Sequence, residues 1–433
     1  MAFQQGLSGL NTASKALDAT SNNIANASTV GFKSSTTHFG DVYAASLAGA
    51  GASQVGIGGN VSAIQQQFTQ GNLTSTNNPL DISINGAGFF KMDNNGATSY
   101  TRNGQFHLDK NGYIVNDQAL KLTGYAAQSG IVVPSTPAPI QISASDLPPI
   151  ETGTSTSAGF TGVKANLQLD SRKTVPALPW VAATAPLYTP DPQSYNYSTA
   201  LSVYDSLGNP HALTMYFEKT ATSGEWQTHF NVDGTNDTYV TVNSGNPLLF
   251  GTNGALDATT PGSPMNITID LDAVSTALGT TNNANPTMTF DVNFTGTTQF
   301  GSAFGTNRLE QDGYAAGHLV GLSVGSDGVI QGRYSNGQNF AQGQIVMANF
   351  TNPNGLQSLG SNQWIETSVS GPALVGAPNT SNLGVLSSST VEESNVDLTA
   401  ELVNLITQQR NYQANAQSIK TQDQVLQTLV NLR

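Results

Sequence analysis

Residues 396–433 read VDLTAELVNLITQQRNYQANAQSIKTQDQVLQTLVNLR and contain neither glycine nor proline. Positions 398, 402, 405, 409, 412, 416, 419, 423, 426, 430 and 433 follow the alternating spacing of four and three residues that marks one stripe of an α-helix, and eight of these eleven are apolar. Ser394, with Asp397 three residues later, matches a capping pattern for a helix start. This stretch therefore predicts a long amphipathic helix.

The first residues of the chain repeat this spacing over a shorter length. Five of seven positions are apolar in the series Phe3, Leu7, Leu10, Ser14, Leu17, Ser21 and Ile24. Asn22, Asn23, Asn26 and then Gly31 favour a turn or a left-handed helix cap. If this shorter helix pairs with the longer one, part of the longer helix's apolar stripe stays uncovered. We expect copies of the same chain to cover it.

Charge is segregated along the chain. Only 10% of the 433 residues are charged, against about 25% in an average soluble domain. Residues 1–30 and 396–433 each have no net charge, so the residues between them, with 11 basic and 24 acidic side chains, carry the whole net charge of −13. Neutral ends with apolar stripes are suited to burial in a polymer, and we expect both helices to become ordered on polymerisation.

The alternative is that both ends are ordinary amphipathic helices docked on a globular core. In the polymer interpretation, the packing residues are Phe3, Leu7, Leu10, Leu17 and Ile24 at one end and Leu398, Leu402, Leu405, Tyr412, Ile419 and Leu426 at the other. Which of their contacts lie within one subunit and which join subunits stays open.

Between the two ends, apolar residues alternate with period two, which predicts antiparallel β-strands and not an α/β fold. The clearest runs are Leu213, Met215 and Phe217; Trp226, Thr228, Phe230 and Val232; and Met288, Phe290, Val292 and Phe294. Ten Asn-Gly or Asp-Gly pairs supply the positive φ angles of tight turns. One pair, Asn103-Gly104, predicts a hairpin over residues 100–108 with Phe106 and Leu108 on one face.

The predicted fold is mainly β with α-helical coiled-coil termini, and antiparallel β domains of barrel or sandwich type are nested out-and-back between the helices. Ten of the 19 prolines fall between residues 134 and 192, which indicates a linker entering a separate domain. The predicted parts are a terminal helical domain (1–30 and 390–433), an extended connecting segment (31–71 and 372–389), an inner β domain (72–147 and 300–371) and an outer β domain (148–299). Gly49, Gly51, Gly56, Gly58 and Gly59 lie in the connecting segment, and we expect these glycines to make it adaptable.

No segment makes a positive case for catalysis, so we expect no enzyme activity and no cofactor or metal. Gly321-Leu-Ser323-Val-Gly325 matches the nucleophile elbow of hydrolases, but Ser326-Asp327-Gly328 then predicts a turn where the elbow needs a helix. The five histidines form no triad or metal-ligand motif. Cysteine is absent, which excludes disulfides and thiolate ligands.

Charge and hydropathy limit the partners and environments that we expect for the chain. A net charge of −13 argues against binding nucleic acid. No run approaches 18 apolar residues, so we expect no membrane insertion. The first residues lack the charged and apolar regions of a cleaved signal peptide.

Several motifs resemble those shared by the bacterial flagellar rod and hook proteins. They are Ser8-Gly9-Leu10, Asn22-Asn23-Ile24-Ala25-Asn26, Thr29-Val30-Gly31-Phe32-Lys33, Thr101-Arg102-Asn103-Gly104, Leu122-Thr123-Gly124-Tyr125, Ser394-Asn395-Val396-Asp397-Leu398 and Gln409-Arg410-Asn411-Tyr412-Gln413. Rod members of this family are much shorter than this chain. The extra domain, which includes residues 204–210 (YDSLGNP), matches the hook members.

The resemblance implies a structural subunit that self-assembles into a flexible curved tube and transmits torque from rod to filament as a universal joint. The implied partners are copies of the chain, the distal rod protein, the hook cap, the hook–filament junction proteins and the flagellar type III export apparatus. The implied location is the extracellular flagellar basal body and hook, reached by export without a cleaved signal peptide. A distal rod protein and a non-flagellar fibrous surface or tail protein are the alternatives.

Overall fold

The computed structural model describes residues 2–42, 56, 58–128, 130–143, 145–155, 159–181, 187–257, 263–281 and 283–431. These residues form two compact units. The terminal unit, which contains both chain ends, comprises Met1–Ala144, Val320–Arg333 and Asn339–Arg433, and the central unit comprises Ser145–Leu319 and Tyr334–Gln338. Most regular structure is β-sheet, with a long helix near each end. The predicted fold class is confirmed.

The first pass of the chain through the terminal unit builds one helix and eleven strands. They are α1 (Ala2–Ala25), β1 (Ser35–Val42), β2 (Gly58–Gln66), β3 (Leu73–Ser75), β4 (Ile82–Asn85), β5 (Phe89–Asn94), β6 (Ala97–Thr101), β7 (His107–Leu108), β8 (Ile114–Val115), β9 (Lys121–Gln128), β10 (Ile131–Val132) and β11 (Ala138–Pro139). Strands β1 and β2 pair antiparallel, from Ser35 with Gln66 to Val42 with Gly58. This β1–β2 ribbon packs against α1.

The central unit is a β-sandwich. Its elements are β12 (Val163–Asp170), β13 (Tyr197–Tyr204), β14 (Pro210–Lys219), β15 (Glu225–Val232), a 3-10 turn (Asp237–Tyr239), β16 (Val240–Ser244), β17 (Leu248–Leu249), β18 (Met265–Asp270), α2 (Leu271–Leu278), β19 (Thr287–Asn293), β20 (Thr298–Phe300) and β21 (Gly305–Gln311). One sheet runs β16-β18-β19-β12-β20 with β21 beside β12, and the other runs β13-β14-β15-β17. Both sheets contribute to a single hydrophobic core. Most pairs are antiparallel, but β12 runs parallel to β19 and β20.

The period-two pattern places alternate residues of this sandwich in the core. Leu213, Met215 and Phe217 of β14 are fully buried, whereas Thr214 and Tyr216 between them are half-buried. Successive side chains of a strand point to opposite faces, so one face is covered by the second sheet. The alternation predicted for these strands is confirmed.

On its return, the chain completes the terminal unit with nine strands and a helix. They are β22 (Leu319–Val324), β23 (Val329–Tyr334), β24 (Asn339–Ile345), β25 (Met347–Asn349), β26 (Gln357–Gly360), β27 (Gln363–Ile365), β28 (Leu374–Gly376), β29 (Val385–Ser388), β30 (Thr390–Glu392) and α3 (Leu398–Asn431), with a 3-10 turn at Pro353–Gly355. The main sheet path, β22-β23-β24-β9-β5-β6-β27-β26, joins strands from both passes. The return also pairs β29 with β4 and β30 with β3.

The hairpin predicted over residues 100–108 is wrong. Strand β6 pairs with β5 and β27, whereas β7 pairs with β8. Gly104 is required for close packing and not for a positive φ, because a Cβ there would lie 1.6 Å from the carbonyl oxygen of Ile82. Phe106 is consequently buried, while Leu108 is exposed.

Helix α3 begins three residues later than a cap at Ser394 predicts, because the capping residue is Asp397. Asp397 Oδ1 accepts hydrogen bonds from the backbone N–H groups of Thr399 at 2.9 Å and Ala400 at 3.2 Å. Ser394 Oγ accepts from the Val396 N–H at 3.3 Å, outside the helix. Since α3 begins at Leu398, Asp397 occupies the N-cap position.

The compact units are fewer than the four predicted parts. Residues predicted as helical domain and connecting segment belong to the terminal unit, and so do those of the predicted inner β domain except 145–147, 300–319 and 334–338. The central unit extends to residue 319, beyond the predicted limit of 299, because β21 pairs along β12. The four-part division stays a prediction. Gly49 and Gly51 lie outside the described residues.

Candidate assembly surface of the terminal helices

Helices α1 and α3 lie side by side and antiparallel. Near the end of α1, Asn23 Nδ2 donates a hydrogen bond to Glu401 Oε1 at 3.2 Å. Near its start, a Cβ added to Gly6 would lie 2.9 Å from Ile419 Cγ1. Because α3 has 34 residues and α1 has 24, the last turns of α3 extend past the start of α1.

A stripe of small residues brings the two helices together. This pairing face of α1 consists of Gly6, Gly9, Ala13, Ala16, Thr20 and Asn23, and all but the half-buried Gly9 are buried. A Cβ on Gly9 would lie 2.7 Å from Asn415 Oδ1. The spacing alternates three and four residues, so the stripe stays on one side of α1 along its whole length. Small side chains let the helix axes approach closely.

The facing side of α3 is mostly polar. Its half-buried residues are Glu401, Leu405, Gln408, Asn415, Ala416, Ile419 and Gln422. Of the predicted packing residues in α3, Leu405 and Ile419 lie on this side. Ala416 also belongs to the predicted series, whereas Glu401, Gln408, Asn415 and Gln422 are each shifted by one residue from it, because the spacing of four and three fits two adjacent stripes equally well.

Most of the larger apolar residues predicted to pack remain accessible in the single chain. Phe3 is 47% exposed and Leu7 46%, while Leu10, Leu17 and Ile24 are half-buried. In α3, the exposed members of the set are Leu398, Leu402, Tyr412 and Leu426. We call these six exposed side chains, Phe3, Leu7, Leu398, Leu402, Tyr412 and Leu426, the open stripe. Val403, Ile406 and Val425, which the predicted series did not include, are exposed as well.

A groove runs beside the pairing face. It has a volume of about 340 Å³ and is lined by Gly9, Thr12, Ala13, Phe39, Gln408, Asn411, Ala414 and Asn415. Phe39, from β1, is 49% exposed there. The β1–β2 ribbon is held against α1 by Gln5 Nε2, which donates to the Gly56 carbonyl at 2.6 Å, and by Ser8 Oγ, which accepts from the Gly59 N–H at 3.3 Å.

A buried ion triad lies at the base of the helices. Glu392 Oε1 accepts from Lys33 Nζ at 2.7 Å, and Glu392 Oε2 lies 3.3 Å from Arg102 NH1. The side chains of Lys33 and Glu392 are wholly inaccessible to solvent, and that of Arg102 is nearly so. Burial lowers the pKa of both Lys33 and Arg102, and the Glu392 carboxylate opposes this effect.

The remaining sequence candidates form no site in the part of the chain that the structure describes. Ser323 is an exposed residue within β22, not the residue of a strand-to-helix turn. Across the described ranges, no group of three His, Asp or Glu side chains is arranged to hold a metal ion. Nor does any described helix combine the length and hydropathy that crossing a bilayer requires.

Four family models match successive parts of the chain. They are the flagella basal body rod protein (residues 3–33), the flagellar hook protein FlgE/F/G D1 domain (83–145), the flagellar basal body protein FlaE D2 domain (168–314) and the flagellar basal body rod FlgEFG protein C-terminal region (387–432). The flagellar hook protein FlgE of Salmonella typhimurium is 41% identical over the full length of both chains, and that of Escherichia coli is 42% identical over the same span. The chain belongs to the flagellar hook protein family.

A solved structure shows the same fold. The crystal structure of Helicobacter pylori flagellar hook protein FlgE2 superposes with a TM-score of 0.50 at 13% identity, covering 74% of this chain and 99% of that one. The hook protein of Borreliella burgdorferi is 32% identical and covers 99% of this chain. Full-length agreement with hook proteins supports the hook members of the family over the shorter rod members.

Two of the motifs that carry the family resemblance contribute a residue to the ion triad, and a third bonds to the chain next to it. Lys33 ends the Thr29–Lys33 motif, Arg102 lies in the Thr101–Gly104 motif, and Asn395 of the next motif accepts a hydrogen bond from the Ser34 N–H at 2.8 Å. Glu392 was missed by the sequence analysis. No local signal separates it from the exposed Glu393, because its burial depends on segments about 300 residues away.

Proposed function

We propose that this chain is the structural subunit of a bacterial flagellar hook and that it polymerises through its terminal helices. In this proposal the open stripe is covered by neighbouring copies. The polymer is a flexible curved tube that transmits torque from rod to filament.

The supporting observation is that the contact between α1 and α3 leaves large apolar side chains of both helices exposed. α1 contributes small residues to its contact with α3, and the six apolar side chains of the open stripe stay outside that contact, whereas Leu405 and Ile419 of α3 lie within it. Burying an apolar side chain such as Leu402 or Leu426 contributes about 1.5–3 kcal/mol. Covering a row of such side chains with a second surface is therefore favourable. Neighbouring copies of the chain in a helical array supply that surface.

The overhang of α3 extends this surface. Since Gly6 lies opposite Ile419, residues from about 423 onward have no α1 residue beside them. Val425 and Leu426 in this overhang are each 54% exposed. We propose that the overhang packs against neighbouring subunits in the wall of the tube.

The specific partner proteins are inferred from the family and are part of the same proposal. A tube between rod and filament meets the distal rod protein at one end and the hook cap or hook–filament junction proteins at the other. Export through the flagellar type III apparatus, without a cleaved signal peptide, would deliver the subunit to the extracellular hook. The absence of cysteine is compatible with passage as an unfolded chain.

The test is polymerisation of the purified full chain, observed by electron microscopy as salt is raised. Three proteins are compared: the full chain, a variant lacking residues 396–433, and the double variant L402S/L426S, which alters only the open stripe. We expect tubes from the full chain and none from the truncated variant. The double variant should need a higher protein concentration, because it buries less apolar surface on assembly.

A matched control is the double variant Q413S/Q417S, which changes exposed polar positions of α3. It should polymerise like the full chain. A full chain that stays monomeric under all conditions would refute the proposed function. Equal polymerisation of L402S/L426S and the control would refute the role of the open stripe.

A further inference from the structure

We infer that Glu392 is a positioning residue, whose buried carboxylate fixes the orientation of the α1–α3 pair on the β-strands of the terminal unit and makes that junction stiff under load. The inference rests on the proposed function, because stiffness matters in a tube that carries torque. It concerns the inside of one subunit and not the surfaces between subunits.

Glu392 links four segments of the chain at the junction. Its Oε1 accepts hydrogen bonds from Lys33 Nζ at 2.7 Å and from the Gly71 N–H at 2.9 Å. Its Oε2 accepts from Arg102 NH1 at 3.3 Å, and its carbonyl oxygen accepts from the Gly31 N–H at 2.8 Å. The segment that leaves α1, the segment that follows β2, the loop after β6 and the strand before α3 are thus held by one side chain and its backbone.

The two cations extend these links to the sheet. Lys33 Nζ also donates to the Thr69 carbonyl at 2.7 Å. Arg102 NH2 donates to the Gly86 carbonyl at 2.9 Å, and its guanidinium carbon lies 5.3 Å from the centroid of the Phe89 ring. Phe89 belongs to the aromatic core formed with Tyr100, Phe350 and Trp364. The triad therefore connects the helix base to the packed centre of the sheet.

The energetics of the triad argue that it is not there to raise stability. Two basic side chains share one carboxylate away from solvent, and removing such groups from water costs free energy that their mutual attraction often does not repay. Arg102 Nε is buried and has no hydrogen-bond partner among the residues that the structure describes. Replacement of buried ion clusters by well-packed apolar residues is often neutral or stabilising. The triad must therefore supply something that apolar packing does not.

The triad supplies contacts that depend on orientation. Hydrogen bonds fix both distance and angle, whereas hydrophobic contact is non-directional and tolerates sliding. Sliding at the helix base would change the angle between the helices and the sheet under torque. A charged group held from several sides at 2.7–3.3 Å resists such movement, because each displacement leaves a buried charge without its partner.

The test compares three proteins in assembled tubes: the wild-type chain, the apolar triple variant K33M/R102M/E392M, and the control K15Q/D18N. Lys15 and Asp18 form an exposed ion pair at 3.4 Å on α1, so the control removes a pair of charges without touching the junction. Bending persistence length is measured from electron micrographs of straight and curved tubes. Thermal midpoint is measured on the unassembled chains.

We expect the triple variant to keep or raise its thermal midpoint while its tubes lose stiffness, and the control to match wild type in both. A lower midpoint with unchanged stiffness would overturn the inference and assign the triad a stabilising role. If the triple variant does not fold, R102K decides, because it keeps the charge and loses the guanidinium's second link to Gly86. R102K tubes as stiff as wild type would overturn the inference. Failure of the wild-type chain to form tubes would instead count against the proposed function.

Discussion

Among single residues, His211 links two turns of the central unit through contacts with two aspartates. Its Nδ1 lies 2.7 Å from Asp233 Oδ2, and its Nε2 lies 3.6 Å from Asp205 Oδ2. Asp205 is fully buried and begins the YDSLGNP turn, where it accepts the N–H groups of Leu207 and Asn209. The hydrogen bond to Asp233 raises the pKa of His211, as does the charge of both carboxylates, while burial lowers it.

The interaction of His211 with Asp233 and Asp205 predicts that the stability of the chain depends on pH. Because the folded pKa of His211 is raised, its charged form contributes stability that is complete below the unfolded value of about 6.5 and is lost as pH rises through the folded pKa. H211N should therefore lower the free energy of unfolding at pH 6 by on the order of 1 kcal/mol, the usual contribution of one hydrogen bond, and by less at pH 9. Thermal midpoints of both full-length proteins across this range measure the difference.

H318N is the control for this pH series, because His318 is exposed and bonds only to Ser335 among described groups. It should shift no midpoint at any pH. A difference between wild type and H211N that stays constant from pH 6 to 9 would show that packing, and not the imidazolium charge, accounts for the effect.

Among the elements, the α1–α3 pair depends on the absence of side chains at Gly6 and Gly9. G9L should push the helices apart, since even a Cβ at this position meets Asn415 at 2.7 Å. The expected cost is about 1–3 kcal/mol of helix pairing. Amide hydrogen exchange in α1 and α3 should accelerate, while exchange in the central-unit strands should not change.

N11L serves as the matched variant, because Asn11 is exposed on the same helix and gains the same side chain. Its exchange rates should equal those of wild type. Equal protection of α1 in G9L and N11L would mean that the pairing face does not hold the helices together.

Helix limits and strand alternation could be predicted from the sequence, and the contacts of the elements could not. The predicted helix at residues 396–433 corresponds to α3 at Leu398–Asn431, because capping and period are local properties. The face of each helix that pairs in the structure differs from the predicted apolar stripe. A spacing of four and three identifies stripes but does not say whether a stripe faces the same chain or another copy. The triad could not be predicted from the sequence either, because Lys33 and Glu392 are 359 positions apart along the chain.

At the scale of the whole molecule, charge is concentrated in the central unit. Its residues, 145–319 and 334–338, include 15 acidic and 5 basic side chains, whereas the remaining residues include 13 and 10. Copies that come together must therefore overcome repulsion between central units. Salt screens such repulsion over a Debye length of about 10 Å at 0.1 M.

The prediction is that the protein concentration needed for polymerisation falls as sodium chloride rises from about 20 to about 200 mM. The double variant D191N/D272N, which removes two exposed charges of the central unit, should polymerise at lower concentration and depend less on salt. Sedimentation of polymer at each salt concentration measures both effects. A required concentration that rises with salt would indicate that attraction between charges drives assembly.

The antiparallel pairing of α1 and α3 also orders events in time. A chain that emerges N-terminus first presents α1 long before its partner, since Asn23 and Glu401 are 378 positions apart. Alone, α1 is a weak helix, because its pairing face contains Gly6 and Gly9 and glycine disfavours helix by about 1 kcal/mol each. The helical pair is therefore among the last parts to form. If the subunit is exported and polymerises as proposed, a half-emerged chain would lack the helical pair that joins the tube, and incorporation would wait for a nearly complete chain.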